Sequence, residues 1–177
     1  MLAAPVSPGA AAPIRVGTYA NAPLVFRDAE GKPQGIYVDV LEHVAQQEGW
    51  TLEYVEGAWE QCLERLQQGQ IDLLVAIGYS IERGRRFEFS REPFIVNWGQ
   101  VYVRRNSDVR TLLDLTDRTL AVVRGDIYYE SLRSTHETLK VFPKFVEVST
   151  YADTLRLVSQ GQAEAALVPR IFGAYAE

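Results

Sequence analysis

An internal echo constrains this chain more than any other feature. Leu66-Gln-Gln-Gly-Gln-Ile-Asp-Leu-Leu-Val75 returns as Val158-Ser-Gln-Gly-Gln-Ala-Glu-Ala-Ala-Leu167. Each copy predicts a helix that stops at a glycine, Gly69 or Gly161, because glycine enters the left-handed conformation of a helix end without a Cβ clash. An acidic residue, Asp72 or Glu164, then precedes a buried apolar strand. The segments upstream correspond as well, so the repeat concerns whole supersecondary units.

In the first half, residues 14–17 read as a short buried strand. Tyr37, Val40, Leu41 and Val44 follow at helical i, i+3, i+4, i+7 spacing. Residues 51–55 read as a strand, Trp59, Cys62, Leu63 and Leu66 as a second helical stripe, and residues 71–76 as a third strand. The second half repeats the order, with strands over 120–123, 145–148 and 165–168 and helices over 129–139 and from Tyr151 through Val158. Thr150 and Asp153 form a capping box for the last helix. Two β-α-β-α-β units imply two small parallel sheets with helices on their faces. Between them, residues 98–104 alternate as an extended strand. The expected organisation is a flexible lead-in (1–13), a first lobe (14–98), a hinge strand (99–105) and a second lobe (106–177). Ligands of open α/β sheets bind beyond the carboxyl ends of the strands, here Thr18-Tyr19, residues 76–80, residues 124–127 and Val168-Pro169.

Composition excludes several functions. The net charge of −5 and the absence of a Lys/Arg stripe argue against nucleic acid. The densest basic cluster, Arg83, Arg85 and Arg86, is broken by Glu82, Gly84 and Glu88. A single cysteine, Cys62, makes neither an internal disulfide nor a Cys-rich metal site. His43 and His136 lack companions at metal-ligand spacing and read as structural, so no metal is expected. No phosphate loop, hydrolase elbow or paired-carboxylate motif is present, and no cofactor or catalytic residue is expected. No apolar run reaches the length of a membrane span. The start lacks a signal peptide's basic and apolar regions. Residues 2–13, rich in Ala, Pro, Ser and Gly, look like the segment after a removed signal peptide.

The motifs resemble a known family. Val16-Gly-Thr, Ala22-Pro23 and Asp28-x-x-Gly31-x-x-x-Gly35-Ile-Tyr-Val-Asp39 are similar to the opening of the type 2 periplasmic binding proteins. So are Trp59…Leu66-x-x-Gly69-x-Ile71-Asp72, Ser80-Ile-Glu-Arg83 and Phe87-x-Phe-Ser90-x-x-Pro93-Phe94. The resemblance is to the family-3 solute-binding proteins, which serve amino-acid uptake, and it covers residues 14–170. It implies a two-lobed Venus-flytrap α/β fold in the periplasm. Asn97-Trp-Gly-Gln-Val-Tyr-Val103, Val123-Arg-Gly-Asp-Ile-Tyr128 and Arg170-Ile-Phe-Gly-Ala-Tyr175 resemble the extracytoplasmic sensor domains of membrane receptors with histidine-kinase or diguanylate-cyclase outputs.

The resemblance places Arg83 on the family arginine that pairs with a ligand carboxylate, a role suited to the guanidinium fork. The alternative is a surface salt bridge to Glu82 or Glu88. Gly78 and Ser80 would serve the same carboxylate, or simply form a strand-to-helix turn. Tyr19, Asn21 and Trp59 match the family's ligand walls, with Trp59 equally readable as core. Trp98 is expected to pack at the hinge. Asp126 reads as a helix N-cap or as a partner for a ligand ammonium. The family's own ammonium-binding aspartate falls on Pro169, which has neither charge nor N–H, so that anchor is missing. Arg124 and Arg170 read as solvated strand ends, or as partners for a second acidic group.

The expected function is binding of a small carboxylate-bearing solute, an amino acid or a relative of one, by the sensor domain of a membrane-anchored signalling protein. The alternatives are a free binding protein of an ABC transporter for polar amino acids and, third, a cyclohexadienyl dehydratase. The dehydratase phrase Gly-Gly-Thr-Asn-Glu is replaced here by Arg124-Gly-Asp-Ile-Tyr-Tyr-Glu130. In this family the chain also returns from the second lobe to the first. Only one crossing is readable here, which predicts an incomplete second lobe, an open edge beside strand 165–168, and self-association through that edge.

Overall fold

The computed structural model describes residues 12–176, so the lead-in expected over 1–13 lies almost wholly outside the described residues. The first half comprises β1 (Ile14–Thr18), a hairpin of β2 (Phe26–Arg27) and β3 (Pro33–Gln34), α1 (Ile36–Glu48), β4 (Leu52–Glu56), α2 (Trp59–Gln67), β5 (Leu73–Leu74) and the single turn α3 (Ile81–Gly84). The second half has β6 (Gly99–Val103), a 3₁₀ turn over Leu112–Leu115, β7 (Thr119–Val123), α4 (Ile127–Leu139), β8 (Lys144–Val148), α5 (Tyr151–Ser159), β9 (Ala165–Pro169) and α6 (Arg170–Ala176).

The echo extends to topology. One sheet has the parallel order β4-β1-β5, and the other repeats it as β8-β7-β9, with β6 added antiparallel on β9. The two glycines end their helices in the same way. Gly69 and Gly161 have φ of 66° and 74°. The amide after each reaches five residues back, Gln70 to Arg65 at 2.8 Å and Gln162 to Leu157 at 2.9 Å, closing the last turn. The acidic residues then clamp the first strand of their sheet. Asp72 accepts from the Arg15 amide at 2.9 Å, and Glu164 accepts from the Thr119 amide at 2.5 Å. Hydrogen bonding from the Arg15 side chain and amide holds the Asp72 carboxyl well below its usual range.

Strand alternation divides the core. Leu120, Val122, Ala165 and Leu167 face a cluster with Val109, Leu115, Leu132 and Val141. Ala121, Val123, Ala166 and Val168 face a second cluster that continues through Tyr151 and Phe172 to Tyr19, Trp59 and Ile71 of the first half. The two sheets are thus joined by shared apolar burial.

Two expectations are corrected. The strand expected over 71–76 pairs only through Leu73 and Leu74, because the chain turns out of the sheet at Ala76, whose φ is 56°. The strand expected to lack a neighbour, β9, is fully buried between β7 and β6, since the first crossing strand itself fills that place. After it, residues 170–176 form a helix whose Gly173 lies against the Tyr102 ring of β6. In its sheet β6 is an edge strand, as is β8 at the opposite end. Beside β6 runs a groove of about 700 Å³ lined by Trp98, Val101, Val103, Leu112, Leu132 and Leu139.

The parallel helix ends give the first prediction. Nothing lies within 4 Å of a Cβ built at Gly69, and only the Arg104 guanidinium approaches one at Gly161. The cost of Gly69→Ala or Gly161→Ala is therefore the left-handed strain alone, about 1–2 kcal/mol each. The costs add in the double variant because the sites lie on separate sheets. Urea unfolding with an unchanged m-value checks this, and a neutral substitution at either site would contradict it.

Candidate functional site

The strand ends converge on a cavity of about 320 Å³ between the two sheets. The turn at Ala76 sends residues 77–79 across its floor. The first turn of α4 supplies Asp126, Ile127 and Tyr128 from the other side. Six of the seven expected site residues line it: Tyr19, Asn21, Trp59, Gly78, Arg83 and Asp126.

Arg83 is buried, with 5% exposure, and is not the surface cation of the alternative reading. Its Nη1 donates to the Gly78 carbonyl at 3.1 Å, and its Nη2 donates to the Gly125 carbonyl, across the cleft, at 2.8 Å. Glu130 stands 3.6 Å from Nη2, and the guanidinium lies 5.3 Å from the Trp59 ring centroid. The ion-pair partner is therefore Glu130 of α4, not Glu82 or Glu88. Trp59 donates its Nε1–H to the same Gly125 carbonyl at 3.0 Å and packs on Tyr19 with ring centroids 4.8 Å apart. Trp59 is thus both core and wall.

Tyr19 donates to the Ala76 carbonyl at 2.8 Å and accepts from Asn21 Nδ2 at 3.2 Å. Burial pushes its phenol well above the ordinary range. Asn21 Oδ1 is buried and accepts no hydrogen bond among the described residues. Asp126 occupies the N-cap position of α4, yet its side chain makes no cap hydrogen bond. Its Oδ1 accepts from the Tyr151 hydroxyl at 3.0 Å, while its Oδ2 is buried without a hydrogen-bond partner.

The other expected residues fall outside. Ser80 is absent from the cavity lining. Its Oγ accepts from the Arg83 amide at 3.1 Å and caps α3, which is the turn reading. Trp98 does not pack at the hinge. The residue is 58% exposed, and the hinge contact is made by its carbonyl, which accepts from the Arg170 amide at 2.9 Å. Arg124 pairs with Glu147 at 2.8 Å on the surface and Arg170 begins α6, neither of them in the lining. Tyr37, Tyr128, Tyr151, Pro93 and residues 95–97 also line the cavity, and sequence reasoning missed them. In the sequence Tyr151 reads only as the start of the helix that runs through Val158. The available signal was its position next to the Thr150 cap, where the first turn of a helix meets the strand ends. Among the described residues no group of His, Cys, Asp and Glu could hold a metal ion, and no helix is long and apolar enough to cross a membrane.

Residues 14–167 match the family model for bacterial extracellular solute-binding proteins, family 3. The chain belongs to that family. Its fold is the two-lobed type 2 periplasmic binding protein fold. It is similar to the solved structure of a histidine kinase sensor domain with similarity to periplasmic binding proteins. That likeness is 32% identical with a TM-score of 0.84, covering 92% of this chain and 70% of the other. A probable amino-acid ABC transporter-binding protein of Haemophilus influenzae is 29% identical over 85% of this chain and 56% of its own length. A third likeness is an ancestral amino-acid-binding protein described as a precursor of cyclohexadienyl dehydratase. It is 25% identical with a TM-score of 0.81, covering 92% of this chain and 73% of that one. The family-3 chain spans about half the length of the curated relatives it matches.

Asp126 supplies the second prediction. Desolvation pushes its carboxyl up to about 6, with Glu130 adding to the rise, against the opposing Tyr151 hydroxyl, Arg83 guanidinium and Tyr128 amide. Between its ordinary value near 4 and about 6, the folded chain holds a proton that the unfolded chain has lost. This group's contribution therefore makes stability fall as pH rises through that window, by on the order of 3 kcal/mol in all. Asp126→Asn keeps the acceptor for Tyr151 and removes the slope. The variant gains on the wild type when melting is compared at about pH 7.5 rather than about pH 4, and an equal difference at both would contradict the raised carboxyl.

Proposed function

We propose that the cleft captures a small carboxylate-bearing solute outside the cytoplasmic membrane, in the periplasm, and that the chain is the sensor domain of a membrane-anchored signalling protein. The observation that carries the reading is the buried guanidinium of Arg83 at the junction of the two sheets. Two of its five N–H donors meet carbonyls and Glu130 stands 3.6 Å from Nη2, so the remaining donors are open to a carboxylate. A carboxylate there would touch groups from both halves, so its binding energy would favour the closed arrangement of a two-state hinge. The likeness to a histidine kinase sensor domain supports the signalling role.

A second reading, a free binding protein feeding an ABC transporter, is favoured by the Haemophilus relative's description. The reading of the parent gene beyond Glu177 separates the two: a membrane span followed by a kinase or cyclase domain supports the sensor. Dehydratase activity is disfavoured by the residues at the second-lobe cleft rim. There Arg124-Gly-Asp-Ile-Tyr-Tyr-Glu130 stands in place of the Gly-Gly-Thr-Asn-Glu phrase.

A thermal-shift screen of amino acids, small carboxylates and aromatic acids tests the binding claim. Ligand at about 100 times its Kd stabilises by roughly 2.7 kcal/mol, a rise of several degrees for a chain of this size. The hit is expected to carry a carboxylate. Arg83→Lys keeps the charge and loses the fork, so it should weaken binding about tenfold or more while the protein still folds. A hit without an anionic group, or an unaffected Arg83→Lys variant, would sink the carboxylate role.

We also propose that copies of this chain self-associate over the outer edge of β6 and its neighbouring groove, where Trp98, Leu112 and Leu139 are exposed. Light scattering during size exclusion, at low micromolar concentration, should give a mass above 19.9 kDa. A monomer under those conditions would reject the proposal.

A further inference from the structure

The charges and unpartnered atoms of the cleft together define more of the ligand than its carboxylate. Only two lining residues are charged, Arg83 and Asp126, and they carry opposite signs. Two lining atoms, Asn21 Oδ1 and Asp126 Oδ2, are buried acceptors with no hydrogen-bond partner among the described residues. A buried acceptor left unmatched costs free energy, so the group that completes these two must be a donor. An ammonium offers three donors and a positive charge, whereas a carboxylate or carbonyl there would face two further acceptors. Asp126 can do this work because its Oδ2 has no hydrogen-bond partner among the described residues, while Tyr151 fixes Oδ1.

Apart from Asn97, whose Oδ1 already accepts from the Trp98 amide, the rest of the lining is apolar or aromatic, dominated by Tyr19, Tyr37, Trp59, Tyr79, Tyr128 and Tyr151. Once a carboxylate has taken Arg83 and an ammonium has taken Asp126, no charged lining group remains to balance a third ionic group. Burying one without a partner is strongly unfavourable. Aromatic walls instead reward a flat or bulky apolar body.

We propose that the cleft selects a zwitterionic amino acid with an uncharged apolar or aromatic side chain, its ammonium seated between Asn21 Oδ1 and Asp126 Oδ2. This rests on the carboxylate reading of Arg83. It adds a separate anchor, in place of the one Pro169 cannot supply, and a specificity that reading does not contain.

Isothermal titration of the 177-residue chain with four probes tests it: L-phenylalanine, 3-phenylpropionate, L-arginine and L-glutamate. L-Phenylalanine should bind about tenfold or more tightly than each of the others, one comparison removing the ammonium and two adding a charge. Asp126→Asn should weaken L-phenylalanine about tenfold while shifting 3-phenylpropionate by less than about threefold. Asn21→Ser, which removes Oδ1, should repeat this selective loss and stands in if Asp126→Asn fails to fold by circular dichroism. Tighter binding of L-arginine or L-glutamate overturns the selectivity while leaving carboxylate capture standing. Indifference of L-phenylalanine binding to both variants overturns the anchor. Binding of 3-phenylpropionate equal to that of L-phenylalanine also overturns the anchor, and it leaves Arg83 in its role. Heat from none of the four overturns the inference, and the carboxylate reading is then judged by the wider screen.

Discussion

The carbonyl of Gly125 joins the two halves of this protein. It sits at the end of β7 and accepts from Trp59 Nε1 at 3.0 Å and Arg83 Nη2 at 2.8 Å, both donors from the first half. Hydrogen bonds to a charged donor in a poorly solvated place are stronger than ordinary ones, and leaving the donor unpaired there is costly. Gly125 itself has a φ of 67°, a backbone conformation that turns the chain from β7 into α4 and that other residues adopt only with strain. The same turn that offers the carbonyl therefore also aims Asp126 into the cleft. Position and charge are properties of one short segment.

The chemistry of the cleft follows from this joint. Arg83 and Asp126 belong to different halves, and both are almost fully buried. Neither is neutralised by a direct contact with the other. Arg83 has carbonyls and the more distant Glu130, and Asp126 has a tyrosine hydroxyl. Buried charges held apart are costly to keep and suit a ligand with one complementary group for each. The arrangement of separated partners in an aromatic chamber fits a binding cleft.

Much of this was legible because local rules act within short stretches. The Gln-Gly-Gln echo announced two equal units, and both helix ends close around Gly69 and Gly161 as their φ values require. Thr150 caps α5 through the Asp153 amide at 3.1 Å, as its spacing predicted. Family resemblance pointed to Arg83. What escaped depended on contacts between distant residues. Nothing near Ala76 in sequence says that β5 will end after two residues, since the turn is fixed by Tyr19 holding the Ala76 carbonyl. Tyr151 reads only as a helix residue because its hydroxyl's partner, Asp126, is 25 residues away. The neighbour of β9 was missed because β6 was assigned only to crossing between lobes, when it also pairs in the second sheet. Ser80 reads in the sequence as a carboxylate partner or as a turn residue, and its oxygen caps the turn of α3.

The cleft is the smaller of the two cavities described, about 320 Å³ against about 700 Å³ for the groove beside β6. The central claim is that chemistry, not size, decides where a solute binds. A crystal structure of the chain with its tightest-binding solute tests this most directly. The account predicts solute density between Arg83 and Asp126, against the Trp59 and Tyr19 rings, with the two sheets still joined at Gly125. Solute density confined to the groove lined by Trp98 and Leu139, with the cleft holding only water, would contradict it.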